Sequence, residues 1–170
     1  MDFKKYIRDI ADFPRQGIVF KDITPLLKNA KVIDAAATSL YNLIQDKQID
    51  KVVGLESRGF LFAPLLAVKL GAGFVPIRKS GKLPSEVLSK SFNLEYGTDV
   101  LEIHKDSILS GERILLHDDV LATGGTAKAA CELITALGGE IVQCNFLIEL
   151  DFLNGREKLS NYNVTSLINY

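Results

Sequence analysis

The sequence predicts an α/β fold, a parallel five-stranded sheet flanked by helices, and three observations predict it. Short continuous apolar runs recur along the chain, helix-like stretches separate them, and glycines punctuate the joins. Strands covered on both faces read as continuous rather than alternating apolar runs, the mark of a parallel sheet. At 170 residues the chain fits one domain, and the size scaling has such a chain bury about 70% of its unfolded surface.

Taken in order, residues 32–45 read as an amphipathic helix, with Val32, Ala36, Leu40 and Leu43 near one face. Residues 51–55 form the first buried strand, followed by helical 59–70 and a stop at Gly71. Residues 73–77 and 113–117 are the second and third strands. Helical 125–137 ends at Gly138-Gly139, a C-cap signal. Residues 140–150 and 163–168 complete the set of five strands. Two regions break the pattern. Residues 13–27 carry Pro14, Gly17 and Pro25 and are too punctuated for sheet or helix. Residues 78–96 form a long polar stretch between strands, and loops of more than about 12–15 residues are usually functional or disordered. A dynamic cover over an active site is the expectation here.

Twenty basic against 21 acidic residues give a formal charge of −1. That balance lacks the basic stripe a nonspecific nucleic-acid surface needs. No segment is apolar and long enough to span a membrane, and Met1-Asp2-Phe3-Lys4-Lys5-Tyr6 lacks the apolar stretch of a signal peptide. A cytoplasmic protein is expected, with neither nucleic acid nor membrane as partner. Cys131 and Cys144 lie in apolar segments without metal-ligand spacing and read as small buried hydrophobes. His104 and His117 have no Ser or Cys motif beside them and read as structural.

The strongest chemical signal runs from Ile114 through His117-Asp118-Asp119-Val120-Leu121-Ala122-Thr123-Gly124-Gly125-Thr126. A buried strand passes through two carboxylates into a glycine-containing loop and then a helix. Amides at a helix N-terminus converge on anions, and glycines let a phosphate approach without a Cβ in the way. The hydroxyls of Thr123 and Thr126 add donors. Adjacent acids would repel a phosphate but suit the vicinal hydroxyls of a ribose. The layout fits one ligand with a 5-phosphate on Ala122, Thr123, Gly124, Gly125 and Thr126 and a diol on Asp118 and Asp119. The plainer reading is a strand-to-helix turn with capping side chains. No GxxxxGK[ST] or GxGxxG pattern offers another phosphate loop.

This segment resembles the phosphoribosyl pyrophosphate signature of type I phosphoribosyltransferases, and three others resemble the adenine phosphoribosyltransferase family within them. Phe13-Pro14-Arg15-Gln16-Gly17-Ile18-Val19-Phe20-Lys21-Asp22-Ile23-Thr24-Pro25-Leu26-Leu27 resembles its base-binding segment. Gly54-Leu55-Glu56-Ser57-Arg58-Gly59-Phe60 resembles its pyrophosphate loop. Arg78-Lys79-Ser80-Gly81-Lys82-Leu83-Pro84, running on to Leu94-Glu95-Tyr96-Gly97, resembles its mobile loop. The match covers nearly the whole chain.

The resemblance implies the type I phosphoribosyltransferase fold over residues 1–170, with a small N-terminal hood at approximately 1–30 and a mobile catalytic loop at approximately 78–97. It implies conversion of adenine and 5-phosphoribosyl 1-pyrophosphate to AMP and pyrophosphate in purine salvage, by a homodimer using Mg2+ held through substrate rather than directly by protein. Glu56, Ser57, Arg58, Arg78, Lys79 and Lys82 would meet the pyrophosphate, and a cis peptide is expected between Glu56 and Ser57. Glu56 stands where many relatives carry Asp. Val19, Phe20, Lys21 and Val120 would hold adenine, Lys21 through its backbone where many relatives carry Arg. Glu95, Arg58 and Asp119 are the expected catalytic residues, with Tyr96 on the mobile loop. From the residues alone, Val19 and Phe20 equally fit a core plug, and Arg78, Lys79 and Lys82 a solvated face. Within the reaction class a 6-oxopurine is the alternative base; outside it, a regulator that binds the sugar without turnover.

Overall fold

The structure is a computed structural model and describes residues 1–93 and 97–170. Its internal contacts divide the chain into two compact units, Met1–Ser39 and Leu40–Tyr170.

The first unit is built on an antiparallel ribbon of β1 (Arg8–Ala11) and β2 (Val19–Asp22), in the register Asp9↔Lys21 and Ile10↔Phe20. Asp22 is buried and accepts from the Thr24 amide (2.9 Å), the Thr24 hydroxyl (2.9 Å) and Arg8 Nε (2.9 Å). The Thr24 amide, then Arg8, hold its carboxyl below the ordinary value. A helical turn, α1 (Thr24–Leu27), follows with Pro25 in its first turn, where a missing N–H costs nothing. Residues 13–27, expected to be irregular, thus contain a strand and a turn of helix. The strand exists because β1, earlier in the chain, supplies its pairing partner.

The amphipathic helix is α2 (Ala30–Asn42), begun under Asn29, whose side chain accepts from the Lys31 amide at 3.0 Å. It stops three residues short of the expected end. The Leu43 and Ile44 amides bond carbonyls three residues back, tightening the last turn. Ile44 therefore takes the buried position expected of Leu43, which is half-buried.

The second unit carries β3 (Lys51–Leu55), β4 (Gly73–Lys79), β5 (Val87–Asn93), β6 (Thr98–His104), β7 (Arg113–Leu121), β8 (Glu140–Glu149) and β9 (Val164–Asn169) in the order β5-β6-β4-β3-β7-β8-β9. The five strands β4, β3, β7, β8 and β9 run parallel, as the sequence predicts. Strand β6 joins β4 antiparallel, and β5 joins β6 antiparallel, so the sheet is mixed and among the described residues has seven strands rather than five. The polar stretch 78–96 is accordingly not one loop. Its Leu88 and Phe92 pack on the core while Ser89, Lys90 and Ser91 are exposed, the composition of an edge strand.

Helix α3 (Ala63–Leu70) returns β3 to β4 and ends at Gly71, whose φ of 67° only glycine adopts cheaply. Helix α4 (Gly125–Ala136) returns β7 to β8 and closes with the Gly139 amide on the Ile134 carbonyl at 3.0 Å. Val53, Leu55, Ile77, Leu116, Ile134 and Phe146 are part of one buried core. Parallel register aligns the carboxyl ends of β4, β3 and β7, pairing Leu55 with Ile77 and Gly54 with His117. Arg78, Glu56 and Asp118 each lie one residue beyond these pairs. Open α/β sheets bind ligands at this edge.

Candidate active site

The turn after β3 is the centre of the site. The Glu56–Ser57 peptide is cis, and Arg58–Leu61 forms a short 3-10 helix. Arg58 Nε lies 2.7 Å from Asp119 Oδ2, an ion pair without the alignment of a hydrogen bond. Next to it, Gly59 is buried against β7. A Cβ built there would stand 2.9 Å from Asp118 Oδ1, 3.1 Å from the His117 carbonyl and 3.2 Å from Asp118 Cα. Glycine is what allows the pyrophosphate-type turn to touch the acid pair.

Strand β7 runs four residues beyond the expected end, so Asp118, Asp119, Val120 and Leu121 are strand residues rather than loop. Polar residues in a strand normally argue against burial. Here register with β8 (Asp118↔Phe146, Val120↔Ile148) extends the ladder to the sheet edge. Asp119 is 4% exposed. Burial and the neighbouring Asp119 charge push the Asp118 carboxyl well above its ordinary value. Burial also raises Asp119, against the pull of Arg58. Asp118 Oδ1 accepts from the Asp119 amide at 2.8 Å. The pair is short of positive charge, which a polyhydroxyl ligand carrying its own cation would supply.

Beyond the acids, Ala122–Thr126 turn into α4. Gly124 sits at the N-cap with φ 76° and has no side-chain cap, so the first amides of α4 face no side chain of their own turn. A cavity of about 70 Å³ is lined by Asp118, Val120, Ala122, Thr123, Gly124 and Thr126 among others. That is several times the roughly 10–15 Å³ that admits a water. A larger cavity of about 530 Å³ is lined by Glu149, Asp151, Asn154, Arg156 and Tyr162 among others, and none of the residues the sequence marked for ligand lines it. Its Glu149 and Arg156 already satisfy each other at 2.9 Å, and the residues that the sequence marked for a phosphate line the smaller one.

On the other side of β3, Arg78 grips Glu56 with two nitrogens (3.1 and 3.2 Å) and donates a third bond to the Lys82 carbonyl (3.1 Å). The Lys79 amide also donates to Glu56 at 3.0 Å. Burial works to raise the Glu56 carboxyl, and Arg78, the Lys79 amide and Lys82 together hold it below its ordinary value. Glu56 is thereby engaged in orienting Arg78. Lys79 pairs with Asp99 at 2.9 Å, and Lys82 is exposed. The buried Glu102 of β6 shapes this turn by accepting from the Ser80 hydroxyl (2.7 Å) and the Gly81 amide (2.9 Å). It was not marked by the sequence, although an acid between Leu101 and Ile103 in a core strand is a visible signal. Glu95 and Tyr96 lie outside the described residues.

Val19, Phe20 and Lys21 are in β2 of the first unit. Val19 is half exposed, Phe20 meets Phe13 edge-on at 5.1 Å, and Lys21 pairs with Asp9 at 2.8 Å. Val120 is on β7 of the second unit and half-buried. His117 is wholly buried beside Asn145 Oδ1 (3.0 Å), and burial lowers its pKa to about 4, leaving it neutral. Cys131 and Cys144 are buried with sulfurs 3.8 Å apart, and the Cys131 thiol and burial push Cys144 far up. A thiol held protonated is no nucleophile.

Residues 22–169 match the family model of the phosphoribosyl transferase domain. A relative from Flavobacterium johnsoniae named adenine phosphoribosyltransferase is 59% identical over the whole of both chains. The crystal structure of adenine phosphoribosyltransferase from Thermoanaerobacter pseudethanolicus superposes with a TM-score of 0.97 at 51% identity, covering 99% of this chain and 98% of that one. The chain belongs to the adenine phosphoribosyltransferase family. The enzyme from Saccharomyces cerevisiae, crystallised with an imino-altritol bisphosphate and adenine, is 43% identical with a TM-score of 0.91, covering 97% and 96%. In this adenine phosphoribosyltransferase fold, the pyrophosphate-type turn, the root of the mobile-type loop and the acid pair occupy the ends of three neighbouring strands. Among the described residues no helix is long and apolar enough to cross a membrane.

Proposed function

We propose that the protein converts adenine and 5-phosphoribosyl 1-pyrophosphate to AMP and pyrophosphate, a purine-salvage reaction. The observation that carries this reading is the end of β7, where the half-buried Asp118 and buried Asp119, short of cation, lead directly into a helix N-terminus with no side-chain cap. One end suits a ribose diol and the other its 5-phosphate. The yeast relative complexed with adenine supports adenine as the base.

In this reading Asp118 and Asp119 hold the ribose hydroxyls, and Ala122, Thr123, Gly124, Gly125 and Thr126 hold the 5-phosphate. Arg58, Ser57, Arg78, Lys79 and Lys82 face the pyrophosphate. As that group departs, positive charge grows at the ribose C1, and Asp119, with Arg58 beside it, lies on the ribose side to stabilise it. Among the described residues no three His, Cys, Asp or Glu side chains converge on a metal position. The under-neutralised acid pair fits Mg2+ carried in on the substrate, where it would neutralise the leaving group. Val19, Phe20 and Val120 are the residues assigned to adenine, Lys21 to the purine edge through its backbone, and Glu95 to the proton on N7. The loop at 78–97 closes to keep water from the activated sugar. The hood is residues 1–30.

The protein acts in the cytoplasm as a homodimer. Leu61, Leu65 and Val68, spaced at helical intervals along the 3-10 turn and α3, are 41%, 38% and 82% exposed, an apolar stripe a second copy would cover. Val68→Glu should halve the mass seen by light scattering; an unchanged mass removes that stripe from the interface.

Steady-state nucleotide formation with Mg2+ and the pyrophosphate sugar, offering adenine, hypoxanthine, guanine and xanthine separately, tests the activity. AMP formation confined to adenine is expected. Turnover of an oxopurine would overturn the base, and tight sugar binding without turnover would make the protein a regulator.

A further inference from the structure

The 5-phosphate loop has no side chain of its own to fix its shape, yet a phosphate site requires amides aimed in advance. What fixes it lies on another segment, the 3-10 turn Gly155–Leu159 that follows β8. A Cβ on Gly155 would stand 2.1 Å from the Ala122 carbonyl oxygen and 3.0 Å from the Gly124 amide nitrogen. Reciprocally, a Cβ on Gly124 would stand 2.3 Å from the Gly155 carbonyl oxygen and 3.2 Å from its Cα. Two glycine backbones therefore pack face to face, one in the phosphate loop and one outside it. All the close atoms are main chain, so neither side can yield by turning a side chain.

Gly155 is itself held. Arg156 Nε donates to Glu149 Oε1 (2.9 Å), Nη2 to Glu149 Oε2 (2.5 Å) and Nη1 to the Val164 carbonyl (2.7 Å). Glu149 is 4% exposed and also accepts from the Ser166 hydroxyl at 2.6 Å. All three guanidinium nitrogens are used, and the planar fork fixes the turn to the end of β8 and to β9 at once. The wholly buried Leu159 anchors the turn's far end.

We propose that Gly155 and Arg156 are positioning residues for the 5-phosphate: Arg156, clamped on Glu149, presses the Gly155 backbone against Ala122 and Gly124 and so sets the amides that receive the phosphate. The inference rests on the reading that this loop binds a sugar 5-phosphate. A consequence is that affinity for the phosphate end of the ligand is set by a segment that does not touch it.

The test uses the full-length protein and two variants, Gly155→Ala and Arg156→Lys. The probes are ribose 5-phosphate binding by calorimetry and the KM for the pyrophosphate sugar against kcat. Wild-type binding of ribose 5-phosphate is the control, and its absence would overturn the phosphate reading itself rather than the buttress. Gly155→Ala must move the loop by about 0.9 Å (3.0 − 2.1) at the Ala122 oxygen, so it should weaken ribose 5-phosphate binding and raise the sugar KM about a hundredfold, on the scale by which 1 Å misplacements cost about a hundredfold; the smaller shift from Arg156→Lys should cost about tenfold. The KM for the base and kcat should change much less. Arg156→Lys keeps a cation beside Glu149 but loses the fork, so it should fold and show the same split even if Gly155→Ala does not fold. Melting temperatures that fall with ribose 5-phosphate affinity and sugar KM intact would show a purely structural turn and overturn the proposal.

Discussion

Gly59→Ala tests whether the turn after β3 is placed by contact with the acid pair. The added Cβ would meet Asp118 Oδ1 at 2.9 Å and two backbone atoms of β7 at 3.1 and 3.2 Å, where ordinary contact begins at 3.4 Å. The turn must withdraw by about 0.5 Å at the closest atom (3.4 − 2.9). Overpacking of this kind costs roughly 1–3 kcal/mol, and a chain of this size loses about 2–4 °C of Tm per kcal/mol. Half the 1 Å displacement that costs about a hundredfold predicts roughly a tenfold loss of kcat/KM for the pyrophosphate sugar, about 1.4 kcal/mol of transition-state stabilisation. Arg58 moves with the turn, so its 2.7 Å approach to Asp119 lengthens as well. The assay is initial-rate kinetics with the sugar varied at saturating adenine, beside a thermal melt. Gly71→Ala is the control: its φ of 67° is strained for alanine, but nothing lies within 4 Å of the new Cβ. That variant should lose stability and keep kcat/KM. If Gly59→Ala loses only stability, as the control does, the contact packs the turn without positioning it and the reasoning fails.

Two further outcomes follow from the titrating groups. Asp118 is raised above its unfolded value, so its contribution to stability is complete below the unfolded carboxylate range near pH 4 and is lost as pH rises through the folded value. Asp118→Asn should therefore melt above wild type at pH 7, converge with it at pH 4 and lose at least tenfold in kcat/KM for the sugar; a lower melt at pH 7 would refute the strained acid pair. His117 is lowered from 6.5 to about 4, so its stability is complete above pH 6.5 and is lost as pH falls toward 4, a span worth about 3 kcal/mol at roughly 1.4 per unit. Urea unfolding of wild type against His117→Gln measures it, and equal slopes across that window would show that His117 is not buried neutral.

The parallel core was legible because its strands are continuous apolar runs, and Lys51–Leu55 and Glu140–Glu149 carry that pattern nearly end to end. The elements that escaped are those made by pairing at a distance. Strand β2 exists through β1, and β5 through β6; neither has enough apolar residues to announce itself, and Glu102 interrupts β6. At the site, the acids and the glycine loop were legible as chemistry, but not that β7 continues through them. That depends on β8 lying alongside. Gly155 was invisible for the same reason. Asn154-Gly155 reads as an ordinary turn, and only the fold brings its backbone against Ala122 and Gly124.

Among the described residues the buried acids and the half-buried Asp118 fall into two kinds, and the division separates scaffold from candidate site. Asp22, Glu102 and Glu149 are each held by amides, hydroxyls or a guanidinium, and all three carboxyls lie below their ordinary values. They stabilise the folded chain at neutral pH and ask for nothing more. Asp118 and Asp119 are raised, because burial outweighs the arginine at both and the Asp119 charge adds to it at Asp118. A chain selected for stability alone would have replaced one of them. Retaining both is accounted for by a ligand that arrives with hydroxyl donors and positive charge. Glu56 sits among the residues expected to bind pyrophosphate, but by this criterion it belongs with the scaffold: its carboxyl is lowered and fully engaged by Arg78 and the Lys79 amide. A free carboxylate there would repel the leaving group. Its part is to hold Arg78, the arginine proposed to meet the pyrophosphate, a task that needs the carboxylate's charge and reach rather than any contact with the ligand.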